Sequence, residues 1–326
     1  MKFATLNDGS RDGRLALVSH DHLRVLVSAA ASTLQNALED WDALLPILQD
    51  EQAMVDAGGG AAFEPSKMMA PLPRAWQWLD GSAFNSHGDL MAKVFGIEPS
   101  PRDVPLMYQG VSDHFYAAHD DISFPTEDDG IDFEGEFAVI LDETPLGVTA
   151  QDAEPHIRLI VQVNDWSLRR IAPIEMRTGF GWVQAKPPCS VAPVAITPDE
   201  LGAAWQQTRV HLPLKVWWNS QLFGEADAGL MDFGFADLVA HAARTRKLVA
   251  GTIIGSGTVS NGNYRQVGSS CIAERRGIET EDLGAARTPY MSFGDRVEME
   301  ARAKNGAPLF GRIDQRVVRT VRGAAA

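Results

Sequence analysis

Cysteine is nearly absent: the 326 residues hold two, Cys189 and Cys271, far apart in the chain. With no Cys-x-x-Cys spacing, neither a structural zinc site nor a disulfide framework is implied, and a reducing compartment is the simplest fit. Basic residues are also scarce, 29 Lys and Arg against 43 Asp and Glu, for a formal net charge of −14. Such a field disfavours phosphate backbones and anionic lipid, so no nucleic-acid or membrane partner is expected. It leaves room for a small anionic substrate where cations cluster locally. Long apolar runs are missing too. No stretch approaches the roughly 20 apolar residues of a membrane span, and Met1–Gly9 carries no apolar signal region, so a soluble, cytoplasmic protein is expected. Phosphate loops are lacking as well: Gly58-Gly59-Gly60 follows no strand, and no lysine succeeds Gly255-Ser256-Gly257. What remains is an ordinary globular composition, 45% hydrophobic and 22% charged, enough for one large core and a small accessory domain.

The most informative stretch is Gly130-Ile131-Asp132-Phe133-Glu134-Gly135-Glu136-Phe137-Ala138-Val139-Ile140-Leu141. It opens on a turn residue and ends in an apolar, β-branched run, so a strand is expected. Alternation then puts Asp132, Glu134 and Glu136 on one face and Phe133, Phe137 and Val139 on the other. Carboxylates two residues apart on a strand have Cα atoms about 6.5–7 Å apart and can reach one cation. A solvated acidic face would look the same, but like charges on one strand face repel unless something positive lies between them. Asp165 ends a second strand-like run, Arg158–Val163. Together these carboxylates suggest an oxygen-ligand site for Mg²⁺, Mn²⁺ or Ca²⁺ with positions left open for substrate.

Along the chain, Lys2–Leu6 and Arg14–Ser19 read as a hairpin, with Leu23–Val27 as a third strand. Ser32 is expected to cap a helix bearing Leu34, Leu38, Trp41 and Leu45, which Pro46 would end or kink. A small amino-terminal α+β domain is expected over residues 1–67 and the main domain over 68–326. A helix near Ser86–Val94 carries His87, which could serve a site but reads first as a surface or capping histidine. A strand at Pro105–Gly110, holding Tyr108, leads into Asp113-His114-Phe115-Tyr116-Ala117-Ala118-His119-Asp120-Asp121, where a histidine with a carboxylate partner could act as a general base. Arg169, four residues past Asp165, would face the same way on a helical turn. Lys186 is held by the prolines of Ala185-Lys186-Pro187-Pro188. In Gly255-Ser256-Gly257-Thr258-Val259-Ser260, glycines and hydroxyls could let backbone N–H groups approach an anionic ligand.

These pieces, in order, resemble the fumarylacetoacetate hydrolase family. The likeness runs from about Pro71 to Val321. It rests on Asp132-Phe133-Glu134-Gly135-Glu136, Asn164-Asp165-Trp166-Ser167-Leu168-Arg169, Gln184-Ala185-Lys186-Pro187, Gly255 to Ser260, and Phe293-Gly294-Asp295-Arg296-Val297. The resemblance implies an α+β, mostly β fold, a mixed β-sheet roll or sandwich with a few helices, usually assembled as a homodimer. It implies that Glu134, Glu136 and Asp165 hold Mg²⁺ or a similar ion, with Asp113 as a further candidate. Arg169, Thr258 and Tyr108 would bind substrate, and Lys186 would act in catalysis. In the fumarylacetoacetases a histidine stands seven residues after a metal-site aspartate; counted from Asp113, that place holds Asp120, with His119 one short. In the acylpyruvase branch the histidine directly follows the aspartate, where His114 stands, but the partner glutamate is replaced by Ala117. His114, His119 and Asp120 are therefore the candidates for the base and its orienting carboxylate. The implied activity is metal-dependent hydrolytic C–C cleavage of a β-diketo or acylpyruvate-type acid, such as a fumarylacetoacetate- or fumarylpyruvate-like substrate, through a metal-stabilised enolate. The alternatives are a decarboxylase, isomerase or dehydratase at the same site, and a metal-stabilised binding protein without turnover.

Overall fold

Apolar alternation in Lys2–Leu6, Arg14–Val18 and Arg24–Val27 builds an antiparallel meander, with Phe3 opposite Leu17 and Leu17 opposite Leu26. The computed structural model describes residues 1–95, 98 and 102–320. Two helices, Leu34–Glu39 and Trp41–Asp56, follow the meander. Thr33, one residue past the expected cap, accepts the Asn36 N–H at 3.1 Å. Pro46 lies inside the second helix instead of ending it. It removes one backbone bond, which burial of Trp41, Leu48 and Val55 on that helix outweighs.

The meander continues into the main sheet. From one edge the strand path runs Ala61–Ala62, Arg24–Val27, Arg14–Val18, Lys2–Leu6, Ala195–Ile196, Ile157–Asn164, Gly135–Leu141, Thr252–Gly255, Gln77–Ser82 and Leu106–Gly110. Met68–Met69 also pairs back onto Lys2–Leu6. A second, five-stranded sheet runs Gln221–Asp227, Pro213–Trp218, Arg296–Glu300, Ile313–Arg319 and Ile122–Phe124. The architecture is α+β with large mixed sheets and few helices.

Gly135–Leu141 lies near the middle of the main sheet and is buried along its whole length. Alternation sorts its residues into two cores. Phe137, Val139 and Leu141 pack with Leu214, Val216, Val297 and Met299 of the second sheet. Ala138 and Ile140 pack with Phe3, Leu38, Trp41 and Trp78 on the opposite side. Each fully buried Phe or Val here contributes about 1.5–3 kcal/mol. Glu136 shares the parity of Ala138 and Ile140, so its carboxylate is directed into a protein interior and not into water.

The expected single strand from Ile131 to Leu141 is in fact two. Ile131–Asp132 pairs with Ser167–Leu168, and Gly135–Leu141 pairs with Ile157–Asn164. Between them the backbone changes ladders, the Asp165 N–H donating to the Glu134 carbonyl at 2.9 Å. Across this switch Asp132 and Glu134 still share Arg169, while Glu136 has neither oxygen partnered.

Candidate metal and substrate site

Three strands deliver carboxylates to one point. Asp80 comes from Gln77–Ser82, Glu136 from Gly135–Leu141, and Asp165 from the residue after Ile157–Asn164. All three are buried, and one oxygen from each lies within 4.8 Å of the others. Their partners are unequal. Asp165 accepts from the Tyr108 hydroxyl at 2.7 Å and from the Cys189 thiol at 3.0 Å, and it is ion-paired with Lys186. Asp80 accepts the Gly257 N–H at 3.1 Å. Both carboxylate oxygens of Glu136 are buried with no hydrogen-bond partner.

Two glycines make this convergence sterically feasible. Gly255 sits opposite Asp80 in a parallel ladder, and a Cβ there would lie 2.3 Å from Asp80 Oδ1 and 2.4 Å from the Trp78 ring. Gly257 has φ +74° and faces the Gly81 carbonyl, which a Cβ would meet at 2.4 Å. This loop was expected to offer backbone N–H groups to an anionic ligand; the Gly257 N–H is instead taken by the chain's own Asp80. Thr258 is buried in the same loop.

Glu134 and the two cations complete the cluster. Lys186 Nζ lies 2.6 Å from Glu134 Oε2 and bridges to Asp165, with its ammonium 5.4 Å from the centre of the Tyr108 ring. Arg169 bonds Glu134 through one nitrogen and Asp132 through Nε at 2.8 Å. Arg169 was expected to follow Asp165 on a helical turn, but Ser167–Leu168 is a strand, so the arginine turns toward Glu134 and Asp132 instead.

Charge bookkeeping decides what such a site requires. Five buried carboxylates (Asp80, Asp132, Glu134, Glu136, Asp165) stand against two cations, Arg169 and Lys186. Burial, reinforced by neighbouring carboxylates, pushes Asp80 and Glu136 well above the usual carboxylate range. Burial also raises Asp165, with Lys186 opposing. Burial alone would raise Glu134, but Lys186 and Arg169 outweigh it and hold Glu134 ionised. Burial would depress Lys186, but Asp165 and Glu134 outweigh it and hold the ammonium charged. Two of the three converging carboxylates thus lack compensation, and a divalent cation is the species that oxygen donors of this kind accept. Asp80, Glu136 and Asp165 fit that role. Glu134, expected as a ligand, lies beside the trio with both oxygens engaged by Lys186 and Arg169.

The backbone at Tyr116 pairs with Cys189, a neighbour of Asp165, but the polar side chains of 113–120 make their contacts elsewhere. His114 Nδ1 lies 3.0 Å from Asp113 Oδ1, and both side chains are more than half exposed, at 53% and 77%. Asp120 accepts the Ala117 N–H at 2.8 Å, and His119 is exposed. Phe115 and Ala118 anchor this stretch inward, which turns its polar residues out.

The histidine near the cluster is His87, on helix Asn85–Phe95. Its Nδ1 is buried without a hydrogen-bond partner, 3.6 Å from Glu274 Oε1, and its positive form is close enough to lower Glu134. Glu274 is fully buried and accepts from the Ser260 hydroxyl through Oε1, while Oε2 has no partner. Ser260 Oγ lies 2.9 Å from Ser86 Oγ. The expected spacing of a histidine seven residues after an aspartate is present, but from Asp80 to His87. Anchoring that spacing on Asp80 would have found both residues from the sequence.

Comparisons with known proteins agree with this architecture. Residues 77–318 match the profile described as fumarylacetoacetate (FAA) hydrolase C-terminal, and residues 1–74 match fumarylacetoacetase N-terminal domain 2. No curated protein sequence matches. Among solved structures, the chain is similar to maleylpyruvate hydrolase from Sphingobium sp. SYK-6 in complex with manganese (II) ion and pyruvate, with TM-score 0.66 and 16% identity over 98% of this chain and 100% of that one. It is also similar to 5-carboxymethyl-2-hydroxymuconate delta-isomerase from Mycobacterium smegmatis, with TM-score 0.59 and 16% identity over 99% and 100%. A third is fumarylpyruvate hydrolase from Pseudomonas aeruginosa in complex with Mn²⁺ and pyruvate, with TM-score 0.55 and 13% identity over 76% and 92%. With profiles matching nearly its whole length and a fold shared with these enzymes, the chain belongs to the fumarylacetoacetate hydrolase family.

Proposed function

We propose that this protein is a divalent-metal-dependent hydrolase that cleaves a C–C bond in an acylpyruvate-type β-diketo acid. The observation that carries this reading is Glu136, a fully buried carboxylate with neither oxygen partnered, beside Asp80 and Asp165. Asp80, Glu136 and Asp165 would hold Mg²⁺, Mn²⁺ or Ca²⁺, with Glu134 at their side. A cation bound there supplies Lewis acidity toward a carboxylate and its neighbouring oxo group. The similar hydrolases crystallised with manganese and pyruvate support a 2-oxo acid as the gripped portion.

The chain's own groups divide the remaining work. Arg169 offers a guanidinium to an anionic substrate, and Lys186 presents a fully charged ammonium to the oxygen where enolate charge develops. His87 takes a proton from water, whose oxygen attacks the distal carbonyl. The C–C bond then breaks, its electron pair passes to the oxo-acid fragment as an enolate, and that carbon is later protonated. Glu274 orients His87, the role a buried carboxylate beside an imidazole can play. This assignment is preferred to His114, His119 and Asp120 because those side chains are exposed.

A second reading is isomerisation or decarboxylation of a 2-oxo acid, favoured by the likeness to a delta-isomerase. One experiment separates them: the Mn²⁺-loaded protein is incubated with acylpyruvates, fumarylpyruvate, fumarylacetoacetate and oxaloacetate, and the products are identified. Release of two acids supports hydrolysis; CO₂ or retention of every carbon supports the second reading. In the same assay His87→Asn is expected to lose about 10²–10⁴-fold in turnover, with His114→Asn near wild type. The reverse pattern would end the assignment of His87.

A further inference from the structure

Asp132 takes no part in the converging carboxylates, yet it is completely buried and fully partnered. Its Oδ1 accepts the Ile272 N–H at 2.7 Å, and its Oδ2 accepts the Ala273 N–H at 2.9 Å and Arg169 Nε at 2.8 Å. Ile272 and Ala273 open helix Ile272–Leu283, whose own cap, Cys271, offers the Glu274 N–H a sulfur at 3.3 Å, a weak acceptor. The strong anionic cap of this helix therefore comes from a strand 140 residues earlier in the chain. Glu274, the residue facing His87, is the third residue of that helix.

We propose that Asp132 is a positioning residue that joins the two halves of the site. One carboxylate fixes both Arg169, on the substrate-gripping side, and the first turn that carries Glu274, on the proton-transfer side. The geometry ties the two contacts together: with Asp132 holding Nε, Arg169 Nη2 is directed onto Glu134 Oε1. Removing the negative charge frees the guanidinium to follow Glu134 alone and loosens the turn beneath Glu274. The role rests on the proposed function for its catalytic meaning, but its grip on Arg169 can be read by binding alone.

The test compares wild type, Asp132→Asn, Arg169→Gln and the double variant. Asp132→Asn keeps the size and one acceptor oxygen, so the helix still forms while the charge is lost. Mn²⁺ affinity should stay within about twofold, because Asp132 lies outside the converging trio. Pyruvate affinity of the Mn²⁺-loaded protein, measured by calorimetry, should fall about ten- to hundredfold, the usual worth of a charge-assisted hydrogen bond. The double variant should be no weaker than Arg169→Gln, since Asp132 acts through that arginine. With a turned-over substrate, Asp132→Asn should raise KM and also shift the pH profile of kcat, because Glu274 moves relative to His87. A lowered melting temperature with unchanged pyruvate affinity and pH profile would show a structural cap only and overturn the proposal. Fully additive losses in the double variant would overturn it too. If no diketo acid is turned over while the pyruvate result holds, the hydrolase reading fails and the positioning role stands. A wild type that binds no 2-oxo acid overturns both.

Discussion

Replacing Glu136 by glutamine should reverse the sign of a stability effect when a divalent cation is added. Without metal, wild type buries a carboxylate whose two oxygens have no partner, next to Asp80 and Asp165. An unsatisfied buried group of this kind costs about 1–3 kcal/mol. The isosteric amide can donate to the neighbouring carboxylates without the proton uptake that burial forces on Glu136, so the metal-free variant should be more stable by up to that amount. Unfolding entropy of about 2.1 cal/mol/K per residue over 326 residues is about 0.7 kcal/mol/K, so the gain is about 1.5–4 °C in Tm. With metal the order inverts. A ligand at 1,000 times its Kd stabilises the native state by about 4.1 kcal/mol, a rise of about 6 °C for wild type, whereas the variant should show little rise. Scanning calorimetry in chelator and in saturating Mn²⁺ or Mg²⁺ gives the four values. A wild type whose Tm ignores both metals, or a variant that gains as much from them as wild type does, would refute the assignment of these carboxylates as a cation site.

Two further outcomes follow from the same charges and from a distant one. Lys186→Gln should tighten Mn²⁺ binding, since an ammonium bridging Glu134 and Asp165 no longer opposes the cation, while turnover falls about 10²–10³-fold; calorimetric titration and a product assay read the two effects. Far from the site, burial pushes His22 down to about 3, with Lys2 adding to the effect. The unfolded chain binds a proton there below about 6.5 and the folded chain does not, so stability is full above that pH and drains away as pH falls toward 3. At pH 5 the loss attributable to His22 is up to about 2 kcal/mol. His22→Asn, which tolerates the local φ of +60°, should flatten the pH 7 to pH 5 difference in urea unfolding; an unchanged difference would dismiss His22 as the cause.

Much of the site could be read in the chain because it is built from short stretches of backbone with strict requirements. Asp132-Phe133-Glu134-Gly135-Glu136 announced buried charge on a strand, and the glycines at 255 and 257 announced a close approach of backbone to an anion. Lys186 between apolar residues and prolines announced a cation held in place. The family follows from the order of these motifs, and the α+β fold follows from the family. Asp80 was harder to see. It is a single acid in Trp78-Leu79-Asp80-Gly81, and its importance comes from pairing in parallel with Gly255, 175 residues away. His87 reads first as a surface or capping residue when the aspartate-to-histidine spacing is counted from Asp113 instead of Asp80, and its partner Glu274 lies far along the chain.

The amino-acid sequence by itself determined which chemistry the protein carries: oxygen ligands in excess of cations, no phosphate loop, and strand periodicities that set acids and aromatics on opposite faces. Tertiary structure alone decided which acids meet. A change of ladder between Asp132 and Gly135 sends three acids of one motif to three tasks, a helix cap with an arginine clamp, a lysine and arginine pair, and an unpartnered corner. A parallel strand pairing brings in Asp80, and a helix packed from elsewhere sets Glu274 against His87. Local periodicity fixes the face that a side chain occupies, but partners come from sheet register and helix docking, which are set by contacts between segments over a hundred residues apart.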